Sequence, residues 1–550
     1  MKSVAFHNLG CKVNSYELDL MQENVAKNGW QIVPFDQKAD VYIINTCSVT
    51  NIADRKSRQM LHRAKSLNPD AIVVAVGCYV QSDAFALAQD EGVNLLVGNN
   101  KKSKLAAILD EYICARNAGT LSLYADRILG GKTVNSGFSD QTAAAVKKEN
   151  YEESGNAGEK NNTDNMKLPS GEDIAGSEKE VRAYLEKTLG NTTVLDLKKV
   201  PFEEGNIVKT ESHTRAYIKI QDGCDRYCSY CIIPYTRGNV RSKPIDEVVE
   251  EAKLLVSSGV REIVLTGIHV SSYGVDFINS QTEGKDFASY GEQGTANEKD
   301  PHIVKNVAEI REQKSAVSRK ALLTLLEKLQ QISGLERIRL SSFEPLLISA
   351  DFMEGLGRIS KICPHFHLSL QSGCDETLKR MNRRYTTEEF AEKVALIRGV
   401  FPDAAITTDV IVGFPEETEK EFNTTVEFAK KIGFYEMHVF KYSRRKGTPA
   451  DANPDQVPEQ VKNTRSDTLL DLTAEQSKEF RKRFLNKTVE VLFEEEKEIN
   501  GRRYWLGHTK EYVLVAIFSS ENLENKIMKV ETQDFLRDDV LLARSSVSAL

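Results

Sequence analysis

The run Gly223-Cys224-Asp225-Arg226-Tyr227-Cys228-Ser229-Tyr230-Cys231 sets three cysteines in a C-x3-C-x2-C spacing. Thiolates this close along a chain can converge on one iron-sulfur cube. Three local ligands hold three irons and leave the fourth without a protein thiolate. Such an open iron can bind a small molecule and pass it an electron. A zinc knuckle is the competing reading. Zinc wants four closed ligands, usually with a second C-x2-C pair downstream, and no such pair follows here.

Cys11, Cys47 and Cys78 are the only other cysteines in the first hundred residues, and each follows a short apolar run. The runs Ser3–Phe6, Val41–Ile44 and Ile72–Val76 alternate with the helix-like stretches Tyr16–Lys27 and Ala53–Ser66. That alternation predicts parallel strands in an open α/β sheet, where ligands bind at the carboxyl ends. Three thiols delivered to that edge could hold a second cluster with its own open iron. Three free buried cysteines are the plainer alternative. Cys114, in a helical pattern, and Cys363, before a proline, read as structural. Cys374 stays open.

Length predicts two to four domains. The first ten residues lack the apolar core of a signal peptide, and no apolar run is long enough to span a membrane. Nine cysteines in clustered motifs argue for a reducing compartment rather than a disulfide framework. The net charge of −7 gives no global basic footprint, so any RNA contact must come from a local patch.

Composition divides the chain. Residues 1–130 read as the first α/β unit. A polar insertion or linker fills 131–209, with Glu149–Glu178 expected to be disordered or a surface insertion. Repeated strand-helix units over 210–465 predict an open or partial α/β barrel, interrupted by a polar stretch at about 276–314. Strands are expected at Ala216–Ile220, Ile263–Gly267, Ile338–Leu340, His367–Leu370, Ala405–Phe414 and Met437–Phe440. The three clustered cysteines follow the first of them, at the end where such barrels carry their chemistry. After a helix near Val461–Leu485, five short strands within 480–550 predict a small, OB-like β-barrel.

With these residues in view, the chain resembles the radical S-adenosylmethionine (SAM) methylthiotransferases. Leu9-Gly10-Cys11-Lys12-Val13-Asn14, Asn45-Thr46-Cys47 and Val76-Gly77-Cys78 resemble their cluster-binding domain. The central cysteine loop resembles their radical SAM core, and the tail is similar to their TRAM domain. Gly10-Cys11-Lys12-Val13-Asn14 resembles the MtaB-type branch, which acts on N6-threonylcarbamoyladenosine at position 37 of tRNA. So do Leu265–His269, Arg339–Pro345, Ser369–Gly373 and Met381–Tyr385.

The resemblance implies an enzyme with two 4Fe-4S clusters and SAM. Cys224, Cys228 and Cys231 would ligate the cluster at which SAM is cleaved to a 5′-deoxyadenosyl radical, which takes the hydrogen from adenine C2. Cys11, Cys47 and Cys78 would ligate the cluster that holds the sulfur to be methylated and transferred. Tyr230, Thr266, Gly267, Ser341, Ser342, Gln371 and Arg384 would line the SAM pocket, and Val410–Gly413 could lie against the adenine. Expected partners are tRNA, an electron donor such as flavodoxin or ferredoxin, and a sulfur source. The expected state is a cytoplasmic monomer.

Arg237, Arg241 and Lys243 sit beside the cysteine loop and are candidates for tRNA phosphate. Lys487, Arg502, Arg503 and Lys510 are candidates on an otherwise acidic tail. His269 and His438 read as isolated and structural. One departure stands out: Glu416 occupies a family glycine position, which would be strained if the turn needs positive φ. Three rivals remain: methylthiolation of isopentenyladenosine-37, methylthiolation of a ribosomal protein, and a non-catalytic iron-sulfur protein that binds RNA or senses redox state.

Overall fold

A computed structural model describes residues 2–88, 90, 92–117, 192–193, 197, 200–210, 214–278 and 301–545. Glu149–Glu178 lies outside the described residues. The chain packs as two compact units. One holds residues 1–10, 24–203 and 445–447; the other holds 11–23, 204–444 and 448–550.

The first unit is a parallel sheet. Its strands are β1 (Ser3–Asn8), β2 (Gln31–Val33), β3 (Val41–Thr46), β4 (Ile72–Gly77), β5 (Leu95–Val97) and β6 (Thr192–Thr193), in the order β2-β1-β3-β4-β5-β6. All residues of β3 and β4 are buried, which is why their sequences run apolar without alternation. The helix Asn51–Leu67 starts at Thr50, whose side chain accepts from the Ala53 N–H.

The second unit begins with β7 (Arg215–Asp222), β8 (Arg241–Ser242), β9 (Glu262–Gly267), β10 (Arg337–Leu340), β11 (His365–His367), β12 (Ala405–Val412) and β13 (Glu436–Lys441). Parallel pairing gives β7-β9-β10 and β11-β12-β13. Parallel bridges Ile338–Ile362 and Phe343–Leu368 join the two sets. The result is an open, partial α/β barrel, as expected, with β8 antiparallel on its outer edge. Ile218, Leu265, Ile338, Phe366, Val410 and helix residues such as Leu325 and Ile397 form one apolar core. Each such side chain contributes about 1.5–3 kcal/mol on burial. The helices Thr387–Val400 and Glu419–Ile432 start with capping boxes, Thr386 with Glu389 and Thr418 with Glu421.

The tail forms a closed barrel of β14 (Thr488–Ile499), β15 (Arg502–His508), β16 (Leu514–Ile517), β17 (Ile527–Arg537) and β18 (Val540–Ser545). It is tied to the partial barrel by charge. Arg337, fully buried, donates to the carbonyls of His508 (2.9 Å) and Glu490 (3.0 Å). Arg215 reaches the Tyr512 hydroxyl at 2.6 Å and pairs with Glu494. Beneath them Glu262 faces Arg339, Arg215 and Arg337. Burial alone would raise its pKa; the three guanidinium groups bring it down to about 2.

Three expectations are corrected. The strand placed at His367–Leu370 lies at His365–His367. Leu368 and Gln371 make only isolated bridges because the backbone kinks at Gln371, with φ +70°. The polar stretch at 276–314 ends early, since a helix runs from Pro301 to Gln330 on good helix-forming residues. Cys114 is exposed on its helix and takes no part in the core.

Candidate active site

The cysteine loop leaves the carboxyl end of β7 at Gly223. There φ is +73° and a Cβ would sit 1.9 Å from the Asn239 carbonyl, so only glycine fits. The Cys224 N–H donates to the Gly238 carbonyl and the Cys231 N–H to that of Cys228, at 3.0 and 2.9 Å. Ser229 fastens the loop, its N–H to the Met381 carbonyl and its Oγ to that of Arg380. Gln221 spans the base, donating to the carbonyls of Asp222 and Gly223 and accepting from the His269 N–H at 2.6 Å.

Cys228 is buried and Cys224 and Cys231 are half-buried. Burial and then the charges of Cys231 and Cys228 push the Cys224 thiol well up, while burial and Cys228 push Cys231 up to about 12. Thiols so placed stay protonated unless a cationic centre takes them as thiolates. Arg383 supplies a donor to that set, Nη1 to Cys228 Sγ at 3.2 Å. Its guanidinium also reaches the Tyr385 hydroxyl (3.0 Å) and Glu344 (3.3 Å). Glu344 is a hub, 2.8 Å from Arg226 and 3.2 Å from His269 Nε2. Burial opposes its charge, yet Arg226, His269 and Arg383 hold the carboxyl far below its usual range. Three thiols on one short loop, with a cation donating to one of them, fit an iron-sulfur cluster with one open iron.

The expected SAM-pocket residues lie along successive strand ends. Thr266 and Gly267 close β9, and Ser341 and Ser342 follow β10. Ser341 Oγ is buried without a hydrogen-bond partner. Gln371 bridges to Val410 on β12, its N–H donating to the Asp409 carbonyl at 2.8 Å. Arg384 shares the fields of Arg226, Glu344 and Cys228. Tyr230 stands apart from this row, against Met381, Phe414, Tyr442 and Ala450.

In the other unit, Thr46 of β3 pairs with Gly77 of β4, so Cys47 and Cys78 leave adjacent strand ends. Both are buried, and Asn99 Nδ2 donates to Cys78 Sγ at 3.6 Å. Gly77 has φ +103°, and a Cβ would sit 2.7 Å from the Thr46 carbonyl. Cys11, three residues beyond β1, packs with the second unit, its exposed thiol 3.8 Å from Asn14 Oδ1.

Several expectations about charge are overturned. Arg237, Arg241 and Lys243 are buried and serve the interior, not RNA. Arg237 binds Glu17 (2.7 Å), Asp222 (3.2 Å) and Asn14 (2.9 Å). Lys243 binds Glu251 at 2.6 Å. His269 is not isolated, being paired to Glu344 and Ser272, nor is His438, which stacks on His367. Of the tail cations, Lys487, Arg502 and Arg503 are exposed and Lys510 is half-buried. Arg502 lies over Phe518 at 3.9 Å. Cys363 is buried, and Cys374, also buried, donates to Glu376 at 2.9 Å. Glu344 and Arg383 lie within Arg339–Pro345 and Met381–Tyr385, where nothing local sets them apart. Their signal was an acid and a cation beside strand ends, which only the fold brings together.

Three clustered thiols after the first strand of an open parallel barrel define a radical SAM protein. The profile of the radical SAM superfamily matches residues 218–429, and that of the uncharacterized protein family UPF0004 matches residues 3–98. The threonylcarbamoyladenosine tRNA methylthiotransferase MtaB of Bacillus subtilis (strain 168) is 34% identical over 532 residues, 96% of this chain and 94% of that protein. The enzyme of the same name from Aquifex aeolicus (strain VF5) is 34% identical over 501 residues, 91% of this chain and 95% of its own. A tRNA-2-methylthio-N(6)-dimethylallyladenosine synthase of Opitutus terrae is 30% identical over 554 residues, 100% of this chain and 97% of that one. The chain belongs to the radical SAM methylthiotransferase family, on its MtaB-type branch. Its cofactors are 4Fe-4S clusters and SAM. No helix among the described residues is long and apolar enough to cross a membrane.

Proposed function

We propose that this protein converts N6-threonylcarbamoyladenosine at position 37 of tRNA to its 2-methylthio derivative. The observation that carries the reading is end-to-end similarity to the Bacillus subtilis enzyme, covering 94% of it, together with the loop that carries Cys224, Cys228 and Cys231. In this reading those three cysteines hold one cluster, and Cys11, Cys47 and Cys78 hold the other. Thr266, Gly267, Ser341, Ser342, Gln371 and Arg384 line the SAM pocket, with Tyr230 packed at its edge. Residues 1–130 carry the sulfur-handling cluster, 210–465 the radical chemistry and 480–550 an RNA-facing barrel. An electron donor and a sulfur source complete the reaction, in the cytoplasm, on a monomer.

When bound, the clusters and SAM supply a radical strong enough to activate adenine C2–H and a thiophilic metal to deliver sulfur. The chain's own residues prepare the place. Gln221 and Ser229 fix the loop against β9 and the Met381–Tyr385 turn. Arg383 donates to the Cys228 sulfur, easing the accumulation of negative charge there. Glu344 orients Arg226, Arg383 and His269 at once, so none of the three swings into the site. Burial of this network keeps water from a reactive centre.

Nucleoside mass spectrometry of tRNA from cells with and without the gene tests the reading. Loss of 2-methylthio-N6-threonylcarbamoyladenosine with accumulation of its unthiolated precursor supports it. Loss of the isopentenyl analogue instead reassigns the substrate, and persistence of both turns attention to ribosomal proteins.

A further inference from the structure

The sheet β11-β12-β13 has two unlike faces. On β12, Val410 and Val412 point into the apolar core, while Asp409 and Ile411 stand on the opposite, less covered face. On β13 the partners of those two residues are His438 and Phe440. His438 is exposed, and Phe440, a large apolar ring, is 43% exposed. The open face therefore carries two layers. Nearer the strand ends lies Phe440, with Ile411 beside it packed against Met381, Phe414, Tyr442 and Ala450; two residues below, or about 6.6 Å, lie Asp409 and His438.

The lower layer is organised. His367 Nε2 sits 3.2 Å from Asp409, and His367 and His438 stack with centroids 5.6 Å apart. His367 Nδ1 is fixed by the buried Thr407 hydroxyl at 3.0 Å, which sets the ring. Lys12, the exposed first residue of the helix Lys12–Lys27, brings a positive charge into the field of Asp409. The side chains of His367, Asp409 and His438 have no part in the handling of SAM or sulfur proposed for this chain.

A purine needs an apolar surface for its ring. An N6-threonylcarbamoyl arm adds a carboxylate, a hydroxyl and urea N–H groups. An isopentenyl arm offers none of these and would set hydrocarbon against the polar groups of the lower layer. We propose that this two-layered face recognises the N6-threonylcarbamoyl arm of the substrate. Phe440 carries the base, Lys12 takes the carboxylate, and Asp409 with His438 takes the hydroxyl and N–H groups. The inference rests on the substrate reading given above and names the residues that select the arm.

The test uses the cluster-loaded, full-length enzyme and two anticodon stem-loop RNAs. One carries N6-threonylcarbamoyladenosine and the other the same base with an N6-ethylcarbamoyl arm, which lacks the carboxylate and hydroxyl. Lys12→Met is expected to raise KM for the first RNA at least about tenfold, leaving kcat and the KM for the second RNA unchanged. His438→Ala, remote from any cysteine, is expected to raise KM for the first RNA more than for the second. Iron content and RNA-independent release of 5′-deoxyadenosine report whether either variant harms the clusters, and both should match wild type. Wild-type discrimination in both variants overturns the inference while sparing the substrate reading. So does one zinc ion per chain that disappears in His438→Ala, since His367, Asp409 and His438 offer ligand atoms all within 4.8 Å. If the wild-type enzyme methylthiolates neither RNA, the substrate reading itself falls.

Discussion

Arg383 donates to the sulfur of Cys228 at 3.2 Å while its guanidinium lies 3.3 Å from Glu344. The donor is thus held by an ionised carboxylate, which has no proton of its own to give the sulfur. Removing the donor should leave the three cysteines able to hold iron and change what the cluster does. Arg383→Gln is expected to keep the wild-type iron content and lose about 10–100-fold in SAM cleavage. Its cluster should become harder to reduce, as read by an electron paramagnetic resonance titration. An unchanged midpoint and rate would show the contact to be idle.

The two cysteine triads should separate in metal content. Cys224→Ala with Cys228→Ala and Cys231→Ala is expected to lower bound iron by about half and abolish 5′-deoxyadenosine release. Cys47→Ala with Cys78→Ala should also lower iron by about half, yet retain SAM cleavage. Iron assay and chromatography of the nucleoside product read both.

Glu262 predicts an acid-sensitive fold. Its folded pKa, about 2, lies below the ordinary glutamate value of 4.5, so the unfolded chain binds more protons between those limits. The stabilisation is complete above pH 4.5 and lost as pH falls toward 2, to the extent of about 3 kcal/mol. Glu262→Gln should flatten the decline of unfolding free energy across that window. It should also destabilise the protein at neutral pH by about 3–5 kcal/mol, because Arg215, Arg337 and Arg339 lose their shared anion.

Glu416 adopts φ +64°, a left-handed conformation that costs a side-chain-bearing residue about 1–2 kcal/mol. Its carboxylate accepts from Asn453 at 2.7 Å, which recovers part of that. Glu416→Gly is expected to stabilise the protein by up to about 1 kcal/mol, after the entropy of glycine is subtracted. Urea denaturation measures it; a loss of stability would show the Asn453 contact to dominate.

Strands of the α/β units were legible because burial on both faces leaves uninterrupted apolar runs, as in Val41–Thr46 and Ile72–Gly77. Cysteine spacing was legible because Cys224, Cys228 and Cys231 are local in sequence. The interior charge network was not. Arg237 and Lys243 look like RNA-binding cations on paper, because nothing local announces that Glu17 and Glu251 will meet them across the fold. Glu344 escaped notice for the same reason, its three partners lying 118, 75 and 39 positions away as the numbers of Arg226, His269 and Arg383 show. Local pattern reports the period of an element; partners distant in sequence are fixed only when the sheet closes.

The grip of Arg337 and Arg215 on the small barrel has a consequence for how this protein meets a long, folded substrate. With Arg337 wholly enclosed between the two parts, the tail cannot swing as a tethered hand. Whatever surface it offers travels with the cysteine loop as one solid piece. Surfaces held at a fixed spacing would let the proposed substrate be gauged by its span, with no reading of the letters between.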